Sequence, residues 1–238
     1  MSEHALLDTA AHRDLRVRTD RAEELGDAMM CAIVMPAEFR QVQNEYAILF
    51  RRDAEREGFT ALAMFGFEAG ENLYLENGRW DARYLPLAVD IQPFLIGGAE
   101  AQDGPKQVHI DLASPRIAGA EGMRLFDELG RPTPYLDGIT EKLGALDEGF
   151  QASASFFDAL RRHDLLEPMS LEVTLDDGST NRLVGFHVIN EERLAEIDAA
   201  SLHALHAEGH LLAIHMAMAS LANLGALVAR KNRRLAGG

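Results

Sequence analysis

The dipeptide Asn77-Gly78 commits this chain to an antiparallel ribbon. A two-residue type I′ turn needs positive φ at both central positions, which asparagine and glycine tolerate and β-branched residues do not. Such a turn sets Glu76 opposite Arg79 as an opposite-charge pair and Leu75 opposite Trp80 on one side of the ribbon. Strand-like runs rich in β-branched and aromatic residues surround it, at residues 29–35, 46–50, 59–67, 73–75, 79–81, 94–96 and 107–112. Between the first two, Pro36 opens a short helical stretch over 37–45, where its missing amide proton costs nothing.

Six of the eight prolines fall between Pro86 and Pro134, so the middle of the chain is loop-rich. Leu85, Phe94, Ile96, Ile110, Leu125 and Phe126 interleave with them, too much apolar content for a disordered connector. After Pro134 the period changes: residues 135–146 and 148–163 read as two helices, with Pro168 ending the segment. A second ribbon follows, alternating over 171–175 and 184–188 around Asp177-Gly178. Asn190 then caps a helix with Glu191 and Glu192 in its first turn, and Gly209 ends or bends it. The last helix places Leu211, Ile214, Met218, Leu221, Gly225 and Val228 at three- and four-residue spacing, a seam that packs within the fold or on its own copy as a homodimer. These elements predict an α+β fold, one domain over residues 1–238, β-rich at 29–112, loop-rich at 84–134 and helix-rich at 135–235. An N-terminal, mostly antiparallel sheet is expected to be covered by C-terminal helices.

The net charge of −15 would repel a phosphate backbone over most of the surface and argues against nucleic acid as a partner. A single cysteine, Cys31, has no internal disulfide partner and reads as a small buried hydrophobe. Residues 1–27 carry charges throughout and no signal-like apolar stretch, so the expected compartment is the cytoplasm. Residues 211–229 are free of formal charge and long enough for a membrane span, but His215, Ser220, Asn223 and Gly225 interrupt them. A packed helix, with no integral span, is the expectation. The basic residues that follow, Arg230, Lys231, Arg233 and Arg234, read as a solvated helix end.

Several phrases in order along the chain resemble the SapC family of proteobacterial proteins: His12-Arg13-Asp14-Leu15-Arg16-Val17, Pro36-Ala37-Glu38-Phe39, Tyr46-Ala47-Ile48-Leu49-Phe50 and Gly66-Phe67-Glu68. Glu71-Asn72-Leu73, Gly78-Arg79-Trp80-Asp81, Tyr84-Leu85-Pro86, Gln92-Pro93-Phe94, His109-Ile110-Asp111-Leu112, Leu125-Phe126-Asp127, Leu205-His206 with Gly209, and Ser220-Leu221 continue the likeness. Members are found encoded near tryptophan-halogenase-like flavoproteins, cupin-like proteins and TonB-dependent receptors. The resemblance therefore implies a non-enzymatic accessory or interaction protein with a halogenase-like or receptor-associated protein partner. The alternative is a metal-dependent or flavin-associated peptide-modifying enzyme. A peptide-transport permease, a label attached to some relatives, would need several spans, which this chain lacks. Where many relatives carry a basic, tyrosine-containing form before Pro-Phe, this chain has Val89-Asp90-Ile91-Gln92, which argues against an anion at that loop.

His109 and Asp111 alternate on one strand and point to one face, with Arg116 beyond Ser114-Pro115. Such a His-Asp pair orients a general base or forms an ordinary hydrogen-bonded strand end. No Gly-x-Ser-x-Gly elbow or glycine-rich phosphate loop supplies a nucleophile or cofactor for that base. Trp80, Tyr84 and Phe94, with Pro86 and Pro93, form an aromatic cluster that either lines a binding groove or fills a small core. His203, His206 and His210 would bring three imidazoles to one helical face, but Gly209 breaks the spacing, and no metal or other cofactor is assigned. The candidate binding residues are therefore Trp80, Tyr84, Phe94, His109, Asp111, Arg116 and His206.

Overall fold

The Asn77-Gly78 signal shows where local chemistry settles the backbone and where tertiary burial takes over. In the computed structural model, which describes residues 2–53, 58–76, 78–97, 106–118 and 121–237, Leu75–Glu76 pairs antiparallel with Arg79–Trp80. The register is the expected one, Leu75 opposite Trp80 and Glu76 opposite Arg79. Gly78 has φ +73°, as a type I′ turn demands, while Asn77 lies outside the described residues. The strands are shorter than predicted, because Leu73 and Tyr74 leave the ribbon as buried core residues.

Two compact units emerge from the chain: Met1–Ala28, Leu75–Trp80 and Leu87–Glu148 form the first, and Met29–Tyr74, Asp81–Pro86 and Gly149–Gly238 the second. In the first, Gln107–Asp111 lies between His4–Leu6 and Phe94–Gly97. Arg16–Val17 lies between Ile117–Ala118 and Met123–Arg124. Leu136, Ile139 and Leu143, at helical spacing, close a core with Val17, Ile91, Phe94, Ile110, Leu125 and Phe126.

The second unit is built on a five-stranded antiparallel sheet in the order Leu166–Thr174, Thr180–Ile189, Ile48–Asp53, Gly58–Met64, Cys31–Ile33. The C-terminal ribbon is thus part of the same sheet as the early strands. Ile48, Leu49 and Phe50 are consecutive and all buried, so both faces of the sheet are covered at its centre. Phe50 meets Phe39 and Phe157 edge-on, and Phe39 meets Phe156. Cys31, on an edge strand, is only half-buried, contrary to the expectation of a buried hydrophobe. That burial still pushes its thiol up, with Arg51 opposing.

Three helical readings are corrected. Residues 135–146 and 148–163 belong to one helix, Pro134–Arg162, whose glycines at 144 and 149 do not interrupt it. Pro168 does not close that segment but sits in Leu166–Thr174, an edge strand, where a missing amide is tolerated. The last helix is two, Leu211–Ser220 and Asn223–Gly237. By composition, Leu211–Gly237 is the one stretch among the described residues long and apolar enough to cross a membrane.

Two polar side chains flank the break. Ser220 Oγ accepts the Ile48 amide at 2.8 Å and donates to the Ala217 carbonyl at 2.6 Å, while the Asn223 amide donates to the carbonyls of Gln43 and Tyr46. Both polar side chains thus meet the entry to the central strand on either side of the interruption. The buried face consequently runs through Ala213, Ile214, Ala217, Ser220 and Leu227, and of the predicted seam only Ile214 is fully buried.

Nor is the basic end simply solvated. Lys231 is buried between Glu71 and Glu68, Arg230 pairs with Asp81 and stacks 4.3 Å over the Tyr74 ring, and Arg234 donates to the Asn72 carbonyl. Replacing Ser220→Ala leaves the buried Ile48 amide without its acceptor and should destabilise the protein by about 1–3 kcal/mol in urea unfolding.

Candidate functional site

Asp27 is fully buried, and a carboxylate without water must find donors or cations. It follows the one-turn segment Glu23–Leu25, and its Oδ2 accepts the Ala22 amide at 2.9 Å, closing the loop on itself. Its Oδ1 takes the Arg116 guanidinium at 2.5 Å and Arg21 at 3.4 Å. Arg116, only 1% exposed, spends Nη1 on the carbonyls of Asp20 (2.9 Å) and Arg18 (3.3 Å). Arg21 continues the chain of charges to Asp90 at 3.1 Å, and Asp90 accepts Lys142 Nζ at 2.7 Å. Cation and carboxylate thus alternate from Arg116 through Asp27, Arg21 and Asp90 to Lys142.

This network borders a cavity of about 290 Å³ in the first unit, walled by Arg18, Arg21, Asp90, Gln92, Arg116, Tyr135 and Lys142, with Met123 and Ile139 as its apolar side. Four of the lining side chains are cationic and one is acidic. Arg18 is paired with Asp20, which holds that carboxyl below its usual range. Burial pushes the Tyr135 hydroxyl up to about 12, so at neutral pH it remains a hydrogen-bond donor. Arg116 Nε is buried without an acceptor, an exception to the rule that buried polar atoms are satisfied.

Of the residues singled out from sequence, Arg116 alone lines this cavity. Phe94 belongs to the core of the first unit, its ring edge-on to Tyr135 at 6.3 Å. Trp80 is half-buried in the first unit, whereas Tyr84 is in the second, where its hydroxyl donates to the buried Glu38 carboxylate at 2.7 Å. His109 and Asp111 share a strand but not a hydrogen bond. Asp111 Oδ1 accepts the amides of Glu3 and Ala113, and the His109 ring lies so close to Gly97 that a Cβ there would come within 2.2 Å of Nε2. His206 is exposed on Ala199–Ala207 with His203, while His210 lies beyond Gly209 and is buried. Among the described residues, no group of three His, Cys, Asp or Glu side chains is arranged to hold a metal ion.

Sequence reasoning missed Arg18, Arg21, Asp27, Tyr135 and Lys142, and it set aside the loop that carries Asp90 and Gln92. The available signals were weak: three arginines at 16, 18 and 21, and an aspartate directly before an apolar run.

The second unit has its own cavity, of about 360 Å³, bordered by Arg40, Ser153, Phe156, Glu208 and His210. His210 Nε2 lies 3.5 Å from the Glu208 carboxylate without a hydrogen bond, and its ring meets Phe156 edge-on. Burial holds His210 below its usual value, with Glu208 opposing and Arg162 adding to the shift.

The SapC family model matches residues 7–227. No curated protein and no solved structure matches the chain.

Asp27→Asn removes the charge shared by Arg116 and Arg21 and should cost about 3–5 kcal/mol in denaturant unfolding, since a guanidinium is left buried without its counter-charge. The buried imidazole of His210 resists a proton that the unfolded chain accepts below pH 6.5. Its contribution to stability is therefore complete above that pH and lost as the pH falls toward the depressed folded value. Unfolding midpoints measured from about pH 7.5 to about 5.5 should fall, and fall less in His210→Gln; His187, also held low by burial, supplies a remaining decline of the same sign.

Proposed function

The chain belongs to the SapC family, and from that premise we propose that it is a non-enzymatic accessory protein that acts by binding. In this reading it works in the cytoplasm beside a halogenase-like or receptor-associated protein partner. The links to halogenase-like, cupin-like and TonB-dependent receptor systems come from the family resemblance described above. The observation that carries the reading is the way the cavity of the first unit is built. Its carboxylate Asp90 is neutralised by Arg21 and Lys142, and the Asp27 carboxylate is taken by Arg116 and Arg21. Both carboxylates are occupied by cations, which leaves fixed hydrogen-bond donors as the groups this cavity offers a ligand. Asp111, the partner a His109 base would need, is likewise engaged by backbone amides.

Affinity capture with the tagged full chain from its native cell, together with elemental analysis and an absorption spectrum of fresh protein, tests this reading. Enrichment of a halogenase-like or receptor-associated protein, on a chain free of stoichiometric metal and flavin, is the expected result. Stoichiometric metal or bound flavin would overturn it in favour of a modifying enzyme.

A further inference from the structure

We propose that the cavity of the first unit is a site for a small oxyanion, a carboxylate or phosphate group, received by Arg116, Tyr135 and Lys142. The proposal rests on the binding-protein reading and names the class of ligand. Arg116 is the anchor. It is almost wholly buried, its two terminal nitrogens are taken by Asp27 and by backbone carbonyls, and Nε is the one of its three nitrogens that has no acceptor. A buried donor without a partner is costly, and a ligand oxygen that reached it through a small shift of the lining would satisfy it.

The rest of the lining points to the same chemistry. Among the described residues no hydrogen bond engages the Tyr135 hydroxyl or the Gln92 side-chain amide, and Lys142, 42% exposed, has one carboxylate contact for three ammonium protons. These are donors arriving from four separate side chains. Asp90, whose charge argued in the sequence against an anion here, is held between Arg21 and Lys142, so the cavity keeps a cationic lining despite it. At about 290 Å³ the space admits a small molecule and excludes a polymer. A net charge of −15 further disfavours polyanions. Met123 and Ile139 leave room for a short apolar body behind a carboxylate head.

The test is calorimetric titration of the full chain with inorganic phosphate, with butyrate, and with butyramide as the neutral match for butyrate. The expected result is one site per chain for phosphate, for butyrate or for both, weakened by added salt, with no binding of butyramide. Binding of phosphate alone identifies a phosphate site, and binding of butyrate alone a carboxylate site. Tyr135→Phe keeps the ring and removes only the hydroxyl, and it should weaken the bound anion about tenfold without lowering the melting temperature. If that variant fails to fold, Lys142→Gln replaces it with the same expectation. In the unmodified protein, the Arg116 Nε–H resonance should shift on titration. Neither anion binding above butyramide, or binding undiminished in the folded variant with an unmoved Nε–H resonance, would overturn the oxyanion site. Partner capture and the metal and flavin assays would stand unaffected by that failure.

Discussion

Asp27 is the constraint on which the first unit depends. A carboxylate with no exposed surface must be compensated within the fold, and here the compensation reaches from Arg21, six residues away, to Arg116, eighty-nine away. That second distance matters most. The Arg116 fork joins the loop around Asp27 to the segment after Ser114-Pro115, and its Nη1 fixes the carbonyls of Arg18 and Asp20 on the way. The backbone agrees, since the Arg18 amide donates to the Arg116 carbonyl at 2.8 Å, beside the pairing of Arg16–Val17 with Ile117–Ala118. A network of this kind adds little net stability over an apolar replacement, yet it tolerates few alternative arrangements. It therefore specifies one loop geometry in a unit whose strands are short.

The second unit solves a related problem with neutral groups. An edge of the central strand would leave the Ile48 amide unpaired at a buried position, and a hydroxyl from the end of an apolar helix meets it. Ser220 and Asn223 are two of the four residues that made residues 211–229 a poor membrane span on sequence alone. Their presence was legible, while their purpose was not, because the acceptor and donor they meet lie more than 170 residues away. The same limit explains the Pro168 reading. Proline marks a boundary for a helix, but whether it ends a helix or sits on a sheet edge depends on which strand becomes the edge.

Local chemistry was most readable where a few adjacent residues decide the backbone. The Asn77-Gly78 ribbon, the Asn190 cap and the pairing of the second ribbon all follow from neighbours within about ten residues, and the α+β class follows from them, whereas the predicted face of Val184, Phe186 and Val188 is corrected: Val184 is exposed and Leu183, Phe186 and Ile189 are buried. The site was least readable for the opposite reason. Arg116 stood out beside a turn, but its meaning comes from Asp27, Arg21, Asp90, Tyr135 and Lys142, which no short motif connects. His109 and Asp111 illustrate the converse error. Their spacing suggested a working pair, whereas one is packed against Gly97 and the other closes a turn through backbone amides.

An acidic chain with a cation-lined cavity is not a contradiction once distance is considered. At physiological ionic strength surface charges are screened over about 8 Å, so the overall charge of −15 governs approach and solubility more than events inside a cavity of this size. Inside it, the dielectric is lower, and the proposed anion would meet the Arg116, Tyr135 and Lys142 donors, with the Asp90 carboxylate already held by Arg21 and Lys142. The two scales act in series. The global charge disfavours extended polyanions at the surface, and the proposed donors would receive a small anion that has already entered. On that proposal, discrimination by size and by charge comes from the same composition that first argued only against a polyanionic partner.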